Sequence, residues 1–308
     1  MKGSGLPRRH LLAGGLAAPF LGSLGLSPRA APAYARAAGG PPEGYRLAFA
    51  DEFEDVDLGR ITEEGTAGRP GAPAWRSRYR HPRKDVINGE KQIYMDAAFG
   101  GTAGRSLGVQ PFRIVDGALE IRAEPADPQR VRPFIWNQGF TSGCISTERS
   151  HAQRYGYFEV RARMPAGRGF WPALWLLPTS GAWPPEIDIV EISGARPRSL
   201  WTNVHAHGNP NPPADPSLPG PGRWHEAGAD VTEAFHVYAA EWTPDAITFF
   251  FDGAPISRRL DHGIHEEMYF LANLAVGSKD PNWIPDPDAS TPFPGVFAID
   301  YVRIYARA

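Results

Sequence analysis

A strict alternation of apolar and polar side chains runs through Tyr155-Gly156-Tyr157-Phe158-Glu159-Val160-Arg161-Ala162-Arg163-Met164. One set of alternate positions is apolar and consists of Phe158, Val160, Ala162 and Met164. The other set carries the polar groups and consists of Tyr157, Glu159, Arg161 and Arg163. Because successive side chains of a β-strand point to opposite faces, this period of two predicts a strand with one face in a core.

Similar strand-like runs continue from residue 45 to the end of the chain. The clearest are residues 117–124, 235–242, 247–251, 268–275 and 297–305. Glycine (34 residues) and proline (32 residues) interrupt the chain too often for a helical bundle, and no long segment has a helical period. We therefore predict an all-β domain in which two antiparallel sheets form a sandwich.

The first 38 residues have the composition of an export signal. Arg8 and Arg9 precede a weakly apolar run over residues 11–26, and small residues from 31 to 35 offer cleavage sites. The apolar run is about 16 residues long, shorter than the roughly 20 that a membrane-spanning helix needs. The paired arginines indicate the twin-arginine route, with a Sec signal or a retained anchor as the alternatives. We predict a secreted or periplasmic protein whose mature domain is residues 39–308.

The charge balance disfavours several classes of partner. The chain has 32 basic and 34 acidic residues, and residues 1–38 contain five of the basic residues and none of the acidic ones. The mature chain therefore carries a formal charge of about −7, which disfavours nucleic acid as a partner. Cys144 is the single cysteine, so an intramolecular disulfide is impossible, and we expect it to be a small buried apolar residue.

Three carboxylates are concentrated in the strand-like segment Glu186-Ile187-Asp188-Ile189-Val190-Glu191. Glu186 and Asp188 share a face of a regular strand, whereas Glu191 would point to the opposite face. One extra residue at Ile189-Val190, a β-bulge, would return Glu191 to the face of the other two acids. We predict this bulge, because only with it do the three carboxylates share one face.

With the bulge, Glu186 and Glu191 behave as residues i and i+4, and their carboxyl groups come to about 5 Å apart. That separation is typical of retaining glycosidases, in which one carboxylate attacks the anomeric carbon and the other acts as acid and base. Asp188 between them would raise at least one pKa by charge repulsion, which keeps one acid protonated. A solvent-facing acidic strand without catalysis is the alternative for the hexapeptide alone.

Ordered stretches along the mature chain resemble glycoside hydrolase family 16, the β-jelly-roll enzymes that cut β-glucans and some galactans. The most specific are Asn88-Gly89-Glu90-Lys91-Gln92-Ile93-Tyr94, Trp171-Pro172-Ala173-Leu174-Trp175 and the bulged acidic hexapeptide. Others are residues 47–53, 141–143, 155–159, 235–245, 273–277 and 300–303. The resemblance implies a jelly-roll sandwich of two antiparallel sheets with a concave substrate cleft, and a catalytic domain over residues 39–308.

The resemblance also implies a role for individual residues. Glu186 would be the nucleophile, Asp188 its helper and Glu191 the acid/base. The residues implied to contact the substrate or to line its path are Asn88, Glu90, Trp171, Trp183, His205 and Asn273. The resemblance places Trp171 and Trp183 on the non-reducing side of the cut. It places His205 near the acid/base. No cofactor is implied for catalysis, but a structural calcium is, with Asp300 in the last strand as its candidate ligand. Further expectations are a polysaccharide as partner, no membrane contact after signal removal and a monomer.

The substrate and the reaction each retain alternatives. A β-1,3- or β-1,3/1,4-glucan is the first expectation, and long loops at residues 61–74, 206–224 and 277–295 are expected to shape its cleft. The segment after Gly277 also resembles depolymerases of succinoglycan-type bacterial exopolysaccharides. Other classes are a non-catalytic carbohydrate-binding jelly roll and a metal-dependent jelly roll using His205-Ala206-His207. The acidic motif is equally compatible with hydrolysis and with transfer of the sugar to another sugar.

Overall fold

The structure is a computed structural model that describes residues 40–67, 73–208 and 212–308. The predicted export signal at residues 1–38 lies outside the described residues. Two short 3-10 helices, Leu58–Arg60 and Arg132–Phe134, are the only helical elements of the described part. Neither of them approaches the length and apolarity of a membrane-spanning helix.

Seventeen β-strands make up the rest of the regular structure in the described residues. In chain order they are β1 Tyr45–Asp51, β2 Gln92–Tyr94, β3 Phe112–Val115, β4 Ala118–Pro125, β5 Phe140–Ser142, β6 Cys144–Ser146, β7 Ala152–Gln153, β8 Gly156–Arg163, β9 Phe170–Pro178, β10 Glu186–Glu191, β11 Ser199–His205, β12 Arg223–Glu226, β13 His236–Trp242, β14 Ala246–Phe251, β15 Ala254–Leu260, β16 Met268–Val276 and β17 Gly295–Arg307.

These strands form two sheets, one of ten and one of seven strands among the described residues. The larger sheet follows the order β15-β14-β13-β8-β17-β4-β5-β2, with β1 paired to β17 and β3 to β4. The smaller sheet follows the order β12-β11-β10-β9-β16-β6, with β7 paired to β16. All the strand pairs are antiparallel except β2 with β5. The predicted all-β sandwich of two antiparallel sheets is therefore confirmed, with one parallel pair as the exception.

Apolar side chains from both sheets meet in one core. The larger sheet contributes residues such as Val160 and Val302, and the smaller sheet contributes residues such as Leu174, Ile187 and Phe270. All five are at most 1% exposed. Burial of this apolar surface is the main force that holds the two sheets face to face.

The alternation that predicted β8 is confirmed, but its polar face is not open to solvent. Tyr157 and Glu159 are each only 2% exposed. Glu159 accepts a hydrogen bond from the hydroxyl of Tyr301, 3.0 Å away on the neighbouring strand β17. On the neighbouring strand β17, Tyr305 is opposite Tyr157 and Arg303 is opposite Glu159, so long side chains of that strand lie beside both residues.

The smaller sheet carries its polar residues on the face turned away from the core. Strand β11 shows this best, because its residues alternate perfectly between buried and half-buried. Leu200 and Val204 point into the core, while Trp201, Asn203 and His205 point to the other face. Cys144 on β6 is fully buried, as expected, and burial raises the pKa of its thiol.

Candidate active site

The predicted β-bulge is present in β10. On one side Asp188 is opposite Asn203 and Glu191 is opposite Trp201, so three steps along β10 match two steps along β11. On the other side Asp188 is opposite Trp175 and Glu191 is opposite Ala173, which again matches three steps with two. The extra residue returns Glu191 to the face that carries Glu186 and Asp188.

The two residues of the bulge explain why the strand accepts it. Ile189 and Val190 are both at most 2% exposed and both belong to the core between the sheets. Consecutive residues of a regular strand could not both point into the same core, so the bulge buries two branched apolar side chains at once. Core packing thereby fixes the direction of the acidic residues on either side.

Glu186 is held by the residues at the beginning of β10 and on β11. The indole N–H of Trp183 donates a 2.8 Å hydrogen bond to Oε2 of Glu186. Nε2 of His205 lies 3.8 Å from Oε1 of the same carboxylate, and the rings of Trp183 and His205 are 5.6 Å apart. Trp183 itself is 53% exposed, which leaves most of its ring open to a ligand.

Asp188 lies in a much drier place, only 3% exposed. Its Oδ2 accepts no hydrogen bond from any described residue, and Nε2 of His205 is 3.4 Å away. Burial first, and then the negative charge of Glu186, raise the pKa of Asp188 well above its usual range. A neutral carboxyl group, which can donate a hydrogen bond, therefore fits this position better than a carboxylate.

His205 lies beside the first two acids of β10, and its electrostatic interaction with Glu191 lowers the pKa of that acid. The ladder pairs it with Glu186, and its Nε2 also lies 2.9 Å from the side-chain amide of Asn203. His205 is therefore nearest to Glu186 and Asp188, at the opposite end of the acidic strand from Glu191. The reason is the antiparallel register, in which the end of β11 meets the beginning of β10.

Glu191 is the third acid of the face. The indole N–H of Trp171 on β9 donates a 2.9 Å hydrogen bond to its Oε1. Burial first, followed by the negative charges of Asp188 and Glu186, raises the pKa of Glu191 well above its usual range. The site therefore favours the protonated form of Glu191, which is the form that a general acid requires.

A chain of hydrogen bonds forms the floor of the cleft beside the acids. The indole N–H of Trp175 donates to Oδ1 of Asn273 at 2.7 Å, and Nδ2 of Asn273 donates to the hydroxyl of Tyr94 at 2.9 Å. The Tyr94 hydroxyl in turn donates to Oε2 of Glu90 at 3.3 Å. Asn273 lines the cleft as predicted, but both ends of its amide are already occupied, so it orients Trp175 and Tyr94.

Glu90 is an acid of the cleft that does not belong to β10. It is buried and also accepts a hydrogen bond from the side-chain amide of Gln92. Burial raises its pKa to about 7, although these hydrogen bonds oppose the shift. Asn88 lies beside it on the exposed rim in a left-handed conformation (φ 55°), and its carbonyl accepts a hydrogen bond from the backbone N–H of Lys279.

The predicted site residues line one common cleft with a volume of about 660 Å³. They are Asn88, Glu90, Trp171, Trp183, Glu186, Asp188, Glu191, His205 and Asn273. The loop at residues 277–295 contributes Lys279 and Trp283 to the same cleft. The loop at residues 61–74, whose residues 68–72 lie outside the description, contributes none of its described residues.

Several lining residues were missed by sequence reasoning, above all Trp201 and Asn203 on β11. A signal for them exists in the sequence, because they precede His205 by four and two positions and so share its strand face. Trp175, Tyr79 and Tyr94 also line the cleft. Trp175 and Tyr94 lie within motifs that carry the family resemblance.

Two metal sites were considered from the sequence, and the structure bears on each. Among the described residues, Glu186, Asp188 and His205 form the one group of acid or imidazole side chains with ligand atoms within 4.8 Å of one another. His207 is exposed and outside that group, so the His205-Ala206-His207 pair is not brought together on a metal.

Asp300, the candidate calcium ligand, forms an ion pair with an arginine side chain. Nη1 of Arg161 on β8 donates to its Oδ2 at 2.6 Å. The ladder between β8 and β17 is irregular at this point, between Ile299 and Tyr301. A guanidinium at that oxygen does not fit a calcium ion there, because the two positive charges would compete for one carboxylate.

Comparison with known proteins identifies the class. A sequence profile described as "Glycosyl hydrolases family 16" matches residues 111–272. The chain is 36% identical over 269 residues to an endo-1,3-1,4-beta-glycanase, ExsH, of Rhizobium meliloti; the match covers 84% of this chain and 51% of that protein. The chain belongs to glycosyl hydrolase family 16.

Solved structures agree with this assignment. SCLam, a non-specific endo-beta-1,3(4)-glucanase of the same family, superposes with a TM-score of 0.67 at 26% identity, covering 88% of this chain and 94% of that one. The endo-beta-1,3-glucanase of Pyrococcus furiosus gives a TM-score of 0.63 at 28% identity, covering 86% and 95%. The jelly-roll fold expected from the sequence is confirmed. The chain spans about half the length of the first curated relatives it matches.

Proposed function

We propose that the protein is a secreted endo-acting glycoside hydrolase that cuts a β-1,3- or β-1,3/1,4-glucan with retention of anomeric configuration. The observation that carries the proposal is the bulge in β10, which brings Glu186, Asp188 and Glu191 to one face of the cleft. Two carboxyl groups flanking one bond, with different protonation states, are what double displacement requires.

In the first step, a carboxylate oxygen of Glu186 attacks the anomeric carbon, and the bond from that carbon to the leaving oxygen breaks. Glu191, whose pKa is raised by burial, donates its proton to the leaving oxygen. The indole N–H of Trp183 fixes one oxygen of Glu186, and the other remains available for attack. The product of this step is a glycosyl ester on Glu186.

In the second step, Glu191 is a carboxylate and takes a proton from water while the water oxygen attacks the anomeric carbon. The ester bond to Glu186 breaks, and the sugar leaves with its original configuration. Asp188 supports both steps as a buried acid beside Glu186, because its proton can stabilise the carboxylate that is released. The first step leaves Glu191 as a carboxylate, which can act as the base of the second step. The second step returns the proton to Glu191.

The relatives and the lining of the cleft both point to the class of substrate. The Rhizobium meliloti relative is described as an endo-1,3-1,4-beta-glycanase and SCLam as an endo-beta-1,3(4)-glucanase. The cleft is lined by aromatic rings on several strands, whose apolar faces suit the C–H faces of glucose units. A neutral β-glucan is therefore the first candidate.

A succinoglycan-type exopolysaccharide is the second candidate, and the cations of the cleft favour it. Arg80 and Lys279 both line the cleft, and neither forms an ion pair with a carboxylate in the described residues. Arg80 donates instead to the backbone carbonyls of Gly181 and Ala182. Cations without acidic partners would suit a glucan that bears acidic substituents.

The test is product analysis on laminarin, mixed-linkage glucan, agar, carrageenan and a succinylated exopolysaccharide. Wild type, Glu186→Gln and the exposed control Glu54→Gln would be compared, with the product anomer followed by NMR. Early β-configured oligosaccharides from wild type and control, but not from Glu186→Gln, would support the proposal. Binding without cleavage, unchanged by Glu186→Gln, would overturn it in favour of a carbohydrate-binding protein.

Export is a separate proposal that rests on residues 1–38. Fusion of these residues to a folded reporter should deliver it to the periplasm or medium. Replacement of Arg8 and Arg9 by lysine should block delivery if the twin-arginine route is used. Unimpaired export of the lysine variant would leave a Sec signal as the explanation.

A further inference from the structure

One imidazole and two carboxylates meet at the beginning of β10. Glu186 is directly opposite His205 on β11, and Asp188 is directly opposite Asn203, so these side chains share the face that lines the cleft. A carboxylate oxygen of each acid and a ring nitrogen of His205 lie within 4.8 Å of one another. Imidazole nitrogen and carboxylate oxygen are ligands of zinc and related dications in proteins. We call Glu186, Asp188 and His205 the histidine–carboxylate cluster.

The spacing of the ligand atoms in this cluster is close to that of a tetrahedral zinc site. Nε2 of His205 lies 3.4 Å from Oδ2 of Asp188 and 3.8 Å from Oε1 of Glu186. Zinc bonds to nitrogen and oxygen are about 2.0–2.2 Å long, so neighbouring ligand atoms of a tetrahedral ion are about 3.3–3.6 Å apart. Both distances from His205 are therefore within about 0.5 Å of the tetrahedral value.

The two carboxyl oxygens of the cluster are available to an ion. Oδ2 of Asp188 is buried and accepts no hydrogen bond from any residue in the described part of the chain. Oε1 of Glu186 is the oxygen that the indole of Trp183 does not bind, because that N–H donates to Oε2. A buried carboxyl oxygen without a donor is costly, and a cation that reaches it from the cleft would remove this cost.

The ring nitrogen of the cluster is in the form that binds metal ions. Nδ2 of Asn203 lies 2.9 Å from Nε2 of His205. An amide nitrogen donates and does not accept, so Nε2 accepts this hydrogen bond and carries no proton. A ring nitrogen without a proton is the one that coordinates a metal. An ion at Nε2 has to displace the N–H of Asn203, which makes this amide its competitor.

We propose that the histidine–carboxylate cluster is an inhibitory site for one divalent transition-metal ion of the zinc class. The fourth coordination position faces the cleft, where water can occupy it. Calcium and magnesium prefer six or more oxygen ligands and do not suit three ligands of which one is nitrogen. The inhibition rests on the proposed function, because an ion on Oε1 of Glu186 occupies the oxygen that would attack the anomeric carbon. Binding of the ion does not depend on that function.

Calorimetric titration of zinc into the protein, prepared without a histidine tag, tests the binding. Wild type should bind one zinc ion per chain at the cluster. His205→Gln should bind it at least about tenfold more weakly, because even the loss of a residue that only orients a ligand costs about 10- to 100-fold in metal affinity. The matched control is His207→Gln, since His207 is exposed and outside the cluster, and its zinc affinity should equal that of wild type. Asn203→Ala should bind zinc more tightly, because the competing amide is gone.

Zinc should also stop the cleavage of laminarin by wild type, and EDTA should restore it, whereas calcium and magnesium at the same concentration should leave the rate unchanged. Thermal unfolding of each variant would show that the fold is intact. Absence of zinc binding by wild type, or equal affinities of His205→Gln and His207→Gln, would overturn the site. Zinc that binds without slowing cleavage would overturn its inhibitory role. A wild type that binds zinc but cleaves no glucan in metal-free buffer would contradict the proposed function and support the metal site.

Discussion

The indole N–H of Trp171 donates a 2.9 Å hydrogen bond to Oε1 of Glu191. A hydrogen bond to a carboxylate favours the ionised form, so this contact lowers the pKa of Glu191 while burial raises it. The raised pKa keeps the acid protonated for the first step, and the indole limits the shift so that it can act as a base in the second. The balance between the two effects sets the alkaline limit of activity.

Trp171→Phe should therefore move the alkaline limb of the kcat/KM profile to higher pH. The variant keeps an aromatic ring but removes the N–H, so the carboxylate form of Glu191 loses its hydrogen bond and its pKa rises further. The measurement is kcat/KM on laminarin from pH 4 to 10. Trp136→Phe, at an exposed position outside the cleft, is the control. A limb that stays in place or moves to lower pH would contradict this account.

Glu191→Gln should strongly slow glucan cleavage and at the same time stabilise the protein above about pH 4.3, the ordinary pKa of an unfolded glutamate. The native state favours the neutral form of Glu191, so unfolding above that pH releases a proton and the free energy of unfolding falls as pH rises. Glutamine has no such proton. The gain in Tm should grow from pH 4 to pH 8, as measured by thermal unfolding.

The exposed Glu54→Gln variant is the control for that experiment, and its Tm should follow the wild type at every pH. A gain for Glu191→Gln that is equal at pH 4 and pH 8 would show that the stabilisation is unrelated to ionisation. Removal of acid/base catalysis should cost roughly a hundredfold to ten-thousandfold in rate. Activity and stability would then move in opposite directions at one residue.

Glu90 should make substrate binding depend on pH near neutrality. Burial raises its pKa to about 7, so it is mostly neutral at pH 6 and mostly ionised at pH 8. A bound sugar buries it further, which favours the neutral form, and KM should rise with pH across this range. Glu90→Gln should flatten that dependence while the pH profile of kcat keeps its shape. An equal rise of KM in both proteins would refute this role.

We expect the ion pair between Arg161 and Asp300, and not a calcium ion, to stabilise strand β17. The guanidinium of Arg161 already neutralises Asp300 across the β8–β17 ladder. Chelation by EDTA should leave the Tm of the wild type unchanged, and Arg161→Met should lower it, because a half-buried carboxylate loses its partner. Addition of calcium would then test whether the vacated oxygen can bind the ion. A fall in wild-type Tm on chelation would restore the calcium prediction.

The sequence predicted the parts of the site that depend on local spacing. A regular strand would put Glu191 on the opposite face from Glu186 and Asp188, so a shared face required a bulge. The apolar side chains of Ile189 and Val190 make such a bulge possible, because both can be buried in the core. Features that depend on which strands become neighbours were not accessible from spacing. The contact of Trp201 with Trp224 requires β12 as the edge strand, and the pairing of Asp300 with Arg161 requires β17 beside β8.

The bulge itself can be tested by changing its length. Deletion of Val190 leaves four steps between the two glutamates of β10, and four steps on a regular strand keep both on one face. In the variant, Asp188 and the second glutamate would be two residues apart. Their partners are also two residues apart, Trp175 and Ala173 on β9 and Asn203 and Trp201 on β11, so both ladders would be regular. The deletion variant should therefore retain measurable activity on laminarin, reduced by the loss of one buried side chain.

Deletion of both Ile189 and Val190 should have the opposite result, although it removes only one residue more. Three steps would then separate the glutamates, and the second one would point into the core, where an uncompensated carboxylate is strongly destabilising. Activity and circular dichroism of the two variants would be compared at the same temperature. A folded single-deletion variant as inactive as Glu191→Gln would show that the bulge, and not only the face it restores, positions the acid.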